Sequence, residues 1–129
     1  MAGRQLQEKE AKLFSAFFFC AGALHFVMPD FYAARVPTWV PEPRAVVLLA
    51  GAAEMIAGVA AGFQRTRRLA CFGISAFLAV VVVTNIAFQL RGAPLWGWVR
   101  VVFLTSLCAW AVRNARASSR DGARSGSSV

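Results

Sequence analysis

Four long apolar runs, each with at most one charged residue, organise the chain: Leu13–Met28, Ala45–Phe63, Leu69–Leu90 and Leu95–Val112. Their Leu, Ala, Phe and Met content continues too far for strands, so each run predicts a helix. A helix crosses the hydrocarbon core of a bilayer with about 20 residues, and with about 17 at the least. The second, third and fourth runs meet that length. The first is slightly short, and Ala11 with the snorkelling stem of Lys12 lengthens it. The pattern therefore predicts an all-α, polytopic membrane protein, a bundle of four transmembrane helices. Ala21-Gly22-Ala23 resembles the small-residue site at which a signal peptide is cut, but the apolar stretch continues past it, which favours a span.

The connections differ in kind. Gln64–Arg68 predicts a tight basic turn, and Arg91–Pro94 a short turn broken by Gly92 and Pro94. The first connection, Pro29–Arg44, is longer and holds Pro29, Pro37, Pro41 and Pro43 together with Phe31, Tyr32 and Trp39. Aromatic residues favour the headgroup level, so this stretch predicts a structured cap on the outer surface, with a short helix after Asp30. Residues 1–12 form an N-terminal segment, and 113–129 a basic tail whose Ser/Gly/Arg composition from Ala117 onward predicts disorder.

Charge placement sets the class and the orientation. Of 129 residues 58% are hydrophobic and 16% charged, with a net charge of +8. A basic chain can neutralise nucleic-acid phosphates, but here the basic residues sit at the ends of apolar runs, where anionic lipid headgroups meet them. The expected partner is the lipid bilayer, not nucleic acid. One side collects Arg4, Lys9, Lys12, Arg65, Arg67, Arg68, Arg113, Arg116, Arg120 and Arg124, and the other Arg35, Arg44 and Arg91. That bias predicts both ends on the cytoplasmic side of a bacterial-type plasma membrane.

Each predicted span carries one polar group that hydrocarbon disfavours: His25, Glu54, Asn85 and Arg100. From the helical rise, His25, Asn85 and Arg100 lie within about 6–8 Å of the outer boundary and Glu54 about 14 Å deep. The four converge on a predicted polar pocket in the outer half, open toward the first connection. A carboxylate in such surroundings is paired or protonated, and Arg100 is the expected partner of Glu54, with His25 second. Gly51 and Gly58 flank Glu54 at helical spacing and let a neighbouring helix approach closely. A ligand or proton site is favoured over a purely structural ion pair, while Asn85 suits a hydrogen bond between helices. Trp96, Trp98 and Trp110 suit interface anchors, and Phe17-Phe18-Phe19 a lipid-facing or core surface. Cys20, Cys71 and Cys108 lie singly in apolar runs without metal spacing, so they predict packing and no metal site.

The run Gly22-Ala23-Leu24-His25-Phe26-Val27-Met28-Pro29-Asp30-Phe31-Tyr32, with Val36-Pro37, Pro41, Gly51-Ala52-Ala53-Glu54, Gly58, Thr66-Arg67-Arg68, Ala70, Gly73 and Asn85, resembles the DoxX-like membrane proteins. The likeness covers roughly residues 13–112. It implies a four-helix membrane bundle and an association with quinone-linked redox systems, the family name coming from a subunit of a thiosulfate:quinone oxidoreductase. The chain has no cysteine pair, haem-ligand pair or flavin motif of its own, so a non-catalytic component is expected. It would hold a quinone or similar lipophilic molecule among His25, Glu54, Asn85 and Arg100, or support a membrane redox complex. The alternative is an assembly or accessory subunit whose polar layer fixes packing, alone or as a homo-oligomer. Transport of a small solute is less favoured, because four short spans enclose a lumen only by oligomerising.

Overall fold

The computed structural model describes residues 2–126, and every regular element in them is a helix. Helix α1 (Ala2–Val27) leads through α2 (Pro29–Ala33) and a turn-rich stretch to α3 (Pro43–Gly62). Helices α4 (Gln64–Gln89) and α5 (Gly97–Gly126) follow. By length and composition α1, α3 and α4 are able to cross a membrane, their apolar stretches being Gln5–Val27, Pro43–Gly62 and Gln64–Gln89. Helix α5 is not among them. Arg100 lies in its first turn and Arg113 and Asn114 follow its apolar run, which lowers its mean hydropathy.

Two antiparallel pairs build the molecule, α1 on α3 and α4 on α5, and a lighter α3–α4 seam joins them. Glycine makes the first pair close. A Cβ on Gly58 would lie 2.8 Å from the Phe19 amide nitrogen, and one on Gly22 2.7 Å from the Gly51 carbonyl oxygen. The backbones therefore touch along the stripe that Gly51 and Gly58 form. The far side closes where Phe14 packs edge-on to Trp110 at 4.8 Å and Glu10 accepts from Trp110 Nε1 at 3.1 Å and from Arg113. Phe14, Phe18, Cys71, Ile74, Leu78, Ala111 and Ala115 form the core between the four long helices. The first turns of α1, the α3–α4 turn and the later part of α5 thus share one end, the base. Helix α2 and the α4–α5 turn share the other, the cap end.

Several boundaries differ from the sequence reading. Gln64–Arg68 is not a connecting turn: Phe63 alone, in extended conformation, reverses the chain, and the basic residues begin α4. The turn is that short because α4 side chains reach back to the free carbonyls at the end of α3. Thr66 Oγ1 donates to Ala60 O at 2.6 Å, and buried Arg67 donates from Nε to Ala61 O at 3.0 Å and from Nη2 to Gly62 O at 3.3 Å. A cation there also meets the negative end of the helix dipole. At the cap end Gly92 takes φ +93°, and buried Gln89 closes the turn by donating to Ala93 O at 3.0 Å and Pro94 O at 2.6 Å.

The tail corrects the expectation of disorder from Ala117. Helix α5 continues to Gly126, and residues 127–129 lie outside the described part. No proline follows Pro94, and the core residues Ala111 and Ala115, one turn apart, carry the helix beyond its apolar run. Trp110 likewise is an inward packing residue, whereas Trp96 and Trp98 are exposed. The Phe17-Phe18-Phe19 run divides by helical phase, with Phe18 fully buried and Phe19 exposed. Cys71 fills the core, Cys108 packs against it with its Sγ 3.5 Å from Ser75 O, and Cys20 is exposed.

Candidate functional site

The site lies at the cap end of the α3–α4 seam, where the two tight helix pairs diverge. A cavity of about 270 Å³ opens there beneath α2 and the turns after it. Its polar lining comes from His25 on α1, Tyr32 on α2, Arg35 just beyond α2, Thr84 and Asn85 on α4, and Arg100 on α5. Its apolar lining comes from Val46, Val47 and Ala50 on α3 and from Phe77, Val80 and Val81 on α4. A second cavity of about 230 Å³ adjoins it toward the α4–α5 turn and shares Arg35, Thr84, Asn85 and Arg100. Each lobe is smaller than the roughly 300–1,000 Å³ usual for a drug-sized ligand, and the two together fall within that range.

Three of the four residues singled out in the sequence, His25, Asn85 and Arg100, face this space. The fourth, Glu54, is buried in the α1–α3 interface behind it and is not on the cavity wall. Its Oε2 lies 3.5 Å from His25 Nδ1 and makes no hydrogen bond. His25 Nδ1 is 3.1 Å from the Ala21 carbonyl oxygen. A carbonyl only accepts, so Nδ1 carries the hydrogen. The other face of the imidazole stacks on Tyr32, with ring centroids 4.1 Å apart. Asn85 Nδ2 donates to Val81 O of its own helix at 2.7 Å, not to a neighbouring helix.

The expected pair of Glu54 with Arg100 does not form. Side-chain direction explains why. Side chains on a helix tilt toward its N-terminus. Helix α3 starts at the cap end, so Glu54 leans toward the cap; α1 ends there, so His25 leans toward the base, and the two meet. Helix α5 also starts at the cap end. Arg100 therefore leans outward and lies over Phe31, its Cζ 6.0 Å from the ring centroid. There it shares the ring with Arg35, whose guanidinium is 3.7 Å from the same centroid and donates to the Phe31 carbonyl.

Arg35 and Tyr32 are functional candidates that the sequence reading left among the loop residues. The four-residue step from Phe31 to Arg35 was the available signal, because it stacks the two on consecutive turns. Among the described residues no group of three or more His, Cys, Asp or Glu side chains could hold a metal ion. The outward faces of the helices carry exposed large apolar residues, among them Leu49, Ile56, Leu69, Val83, Val102 and Phe103. That is the surface a bilayer covers and water does not.

An all-helical chain with three helices of spanning length and an apolar outer surface is a helical membrane protein. It belongs to the family described as a domain of unknown function, DUF8561, whose model matches residues 14–115. No curated protein and no solved structure matches the chain.

Proposed function

We propose that the protein is a four-helix, DoxX-like membrane protein with both ends in the cytoplasm, which holds a small lipophilic molecule by its polar head in the cavity beneath α2. The observation that carries the reading is the meeting of His25, Asn85 and Arg100, from three different helices, on the wall of one cavity that is also lined by valines and Phe77. Polar groups placed sparsely in an apolar pocket orient a ligand, and its lipophilic body supplies the affinity. A quinone, which the resemblance suggests, offers carbonyl acceptors to such donors, and the protein would then serve a membrane redox complex in a bacterial-type plasma membrane. Lipid extracts of the purified protein, analysed by mass spectrometry, are expected to contain one lipophilic compound in near-stoichiometric amount. Its loss from the Asn85→Leu and Arg100→Gln variants is the supporting result. Extracts in which no compound is enriched over its share of the bulk membrane lipid in any of the three preparations would overturn it.

The alternative, an accessory subunit with a structural polar layer, is favoured by one observation: Glu54 is spent inside the α1–α3 interface and does not reach the cavity.

Topology follows from the basic-residue bias and from the shared base end of the helices. Reporter fusions after Arg68 and Val112 are expected to report the cytoplasm, and one at Pro41 the outside. An external C-terminal reporter would remove α5 as a span.

A further inference from the structure

Two arginines face the cavity, and among the described residues neither pairs with a carboxylate. Arg35 enters from the α2 side and Arg100 from α5, and both line both lobes. Among the described residues the arginines that pair with a carboxylate are Arg44, with Asp30, and Arg113, with Glu10. Arg35 and Arg100 instead share the Phe31 ring, their guanidinium carbons 3.7 and 6.0 Å from its centroid. Like charges next to apolar walls are unfavourable unless an anion lies between them. A guanidinium offers a planar fork of donors that fits the two oxygens of a carboxylate or phosphate.

The rest of the cavity has the complementary character. Its α3 and α4 walls are valine-rich, and Val46 and Val80 are 40% and 63% exposed. The chamber is therefore accessible along this valine wall, whose apolar character suits contact with hydrocarbon. A molecule entering there brings an alkyl chain along the valines and its head toward the arginines.

From this we infer that the ligand is an anionic amphiphile, an oxyanion head on an acyl chain, whose head bridges Arg35 and Arg100. The inference rests on the binding reading above and narrows it, because a neutral quinone needs only donors and not two uncompensated cations. The same oxyanion chemistry could come from a free fatty acid or from a phospholipid phosphate.

Two tryptophans make the test direct, since Trp39 lines the larger lobe and Trp96 the smaller. The full-length protein in a neutral detergent is titrated with dibromostearate, with its methyl ester, with a dibrominated phosphatidylglycerol and with a short-chain quinone, reading tryptophan quenching. Saturable quenching by a brominated anion is expected, with the methyl ester about tenfold weaker or worse, as the loss of a charge-assisted contact implies. Whichever of stearate and phosphatidylglycerol binds more tightly identifies the source of the head. Arg35→Gln with Arg100→Gln is expected to weaken the anion by a similar factor, and Arg35→Lys with Arg100→Lys to retain part of it. Equal binding of acid and ester on the unaltered protein overturns the inference without any variant having to fold. Quinone binding that exceeds the anions and ignores both arginines overturns it too, yet leaves the binding reading standing. No saturable quenching by any probe overturns both.

Discussion

Gly58→Leu is expected to lower the unfolding temperature in detergent sharply, whereas Gly73→Leu leaves it nearly unchanged. The two glycines lie in long apolar helices and look alike in sequence. They differ in what surrounds them. A Cβ on Gly58 would lie 2.8 Å from the Phe19 amide nitrogen and 3.2 Å from the Ser15 carbonyl oxygen, both backbone atoms of α1. A Cβ on Gly73 would meet nothing within 4 Å. Side-chain obstacles rotate away, but a facing backbone moves only if the whole helix does. Overpacking a close interface costs about 1–3 kcal/mol even where side chains absorb part of it, and Gly58 is at or beyond the upper end. Gly73→Leu also gains helix propensity, glycine being about 0.8–1.0 kcal/mol poorer than alanine in a helix interior. Gly51→Leu adds a second consequence, because its Cβ would lie 2.6 Å from His25 Cβ and displace the imidazole. It should weaken ligand capture as well as stability. Equal melting of the Gly58 and Gly73 variants would mean that α1 and α3 do not pack along the glycine stripe.

Much of this architecture is legible in the residue order, and the misreadings share physical causes. Long apolar runs with at most one charge announce α1, α3 and α4, because a bilayer disfavours charge over a fixed thickness. Gly51 and Gly58 at helical spacing announce the α1–α3 contact. The same reasoning treats every charge outside a run as a solvated connection, and there it fails. Arg67 looks like one of several basic turn residues, yet it is buried and caps α3. Arg35 looks like a headgroup charge, yet it faces the cavity. In both cases the long aliphatic stem carries the guanidinium well away from its own Cα, which a position-by-position tally cannot register. The tail is a different failure. Its composition lacks apolar anchors, but α5 enters it already formed and anchored by Ala111 and Ala115, so the costly nucleation step does not recur.

The polar residues inside the helices are legible in the sequence, which ranks Arg100 before His25 as the partner of Glu54, because depth along a span omits the direction in which a side chain leans. That difference is measurable. His25→Leu and Glu54→Leu are each expected to destabilise the protein, and the double variant to lose clearly less than their sum. Breaking one partner of a buried pair in a soluble protein costs about 3–5 kcal/mol, largely because the other charge is stranded. Between membrane helices polar contacts average about 0.6 kcal/mol and reach about 1.7. The closeness of Oε2 to Nδ1, with no other partner for that oxygen, places this pair toward the upper figure. A coupling of about 1 kcal/mol or more is expected from reversible unfolding in mixed micelles. The second cycle pairs Glu54→Leu with Arg100→Leu. The two side chains share no contact, Glu54 lying in the α1–α3 interface and Arg100 on the cavity wall, so their effects should add to within about 0.5 kcal/mol. Additivity for His25 with coupling for Arg100 would reverse the assignment. Arg100 would then be neutralised by Glu54, one cation would leave the cavity, and the case for an anionic head would lapse with it.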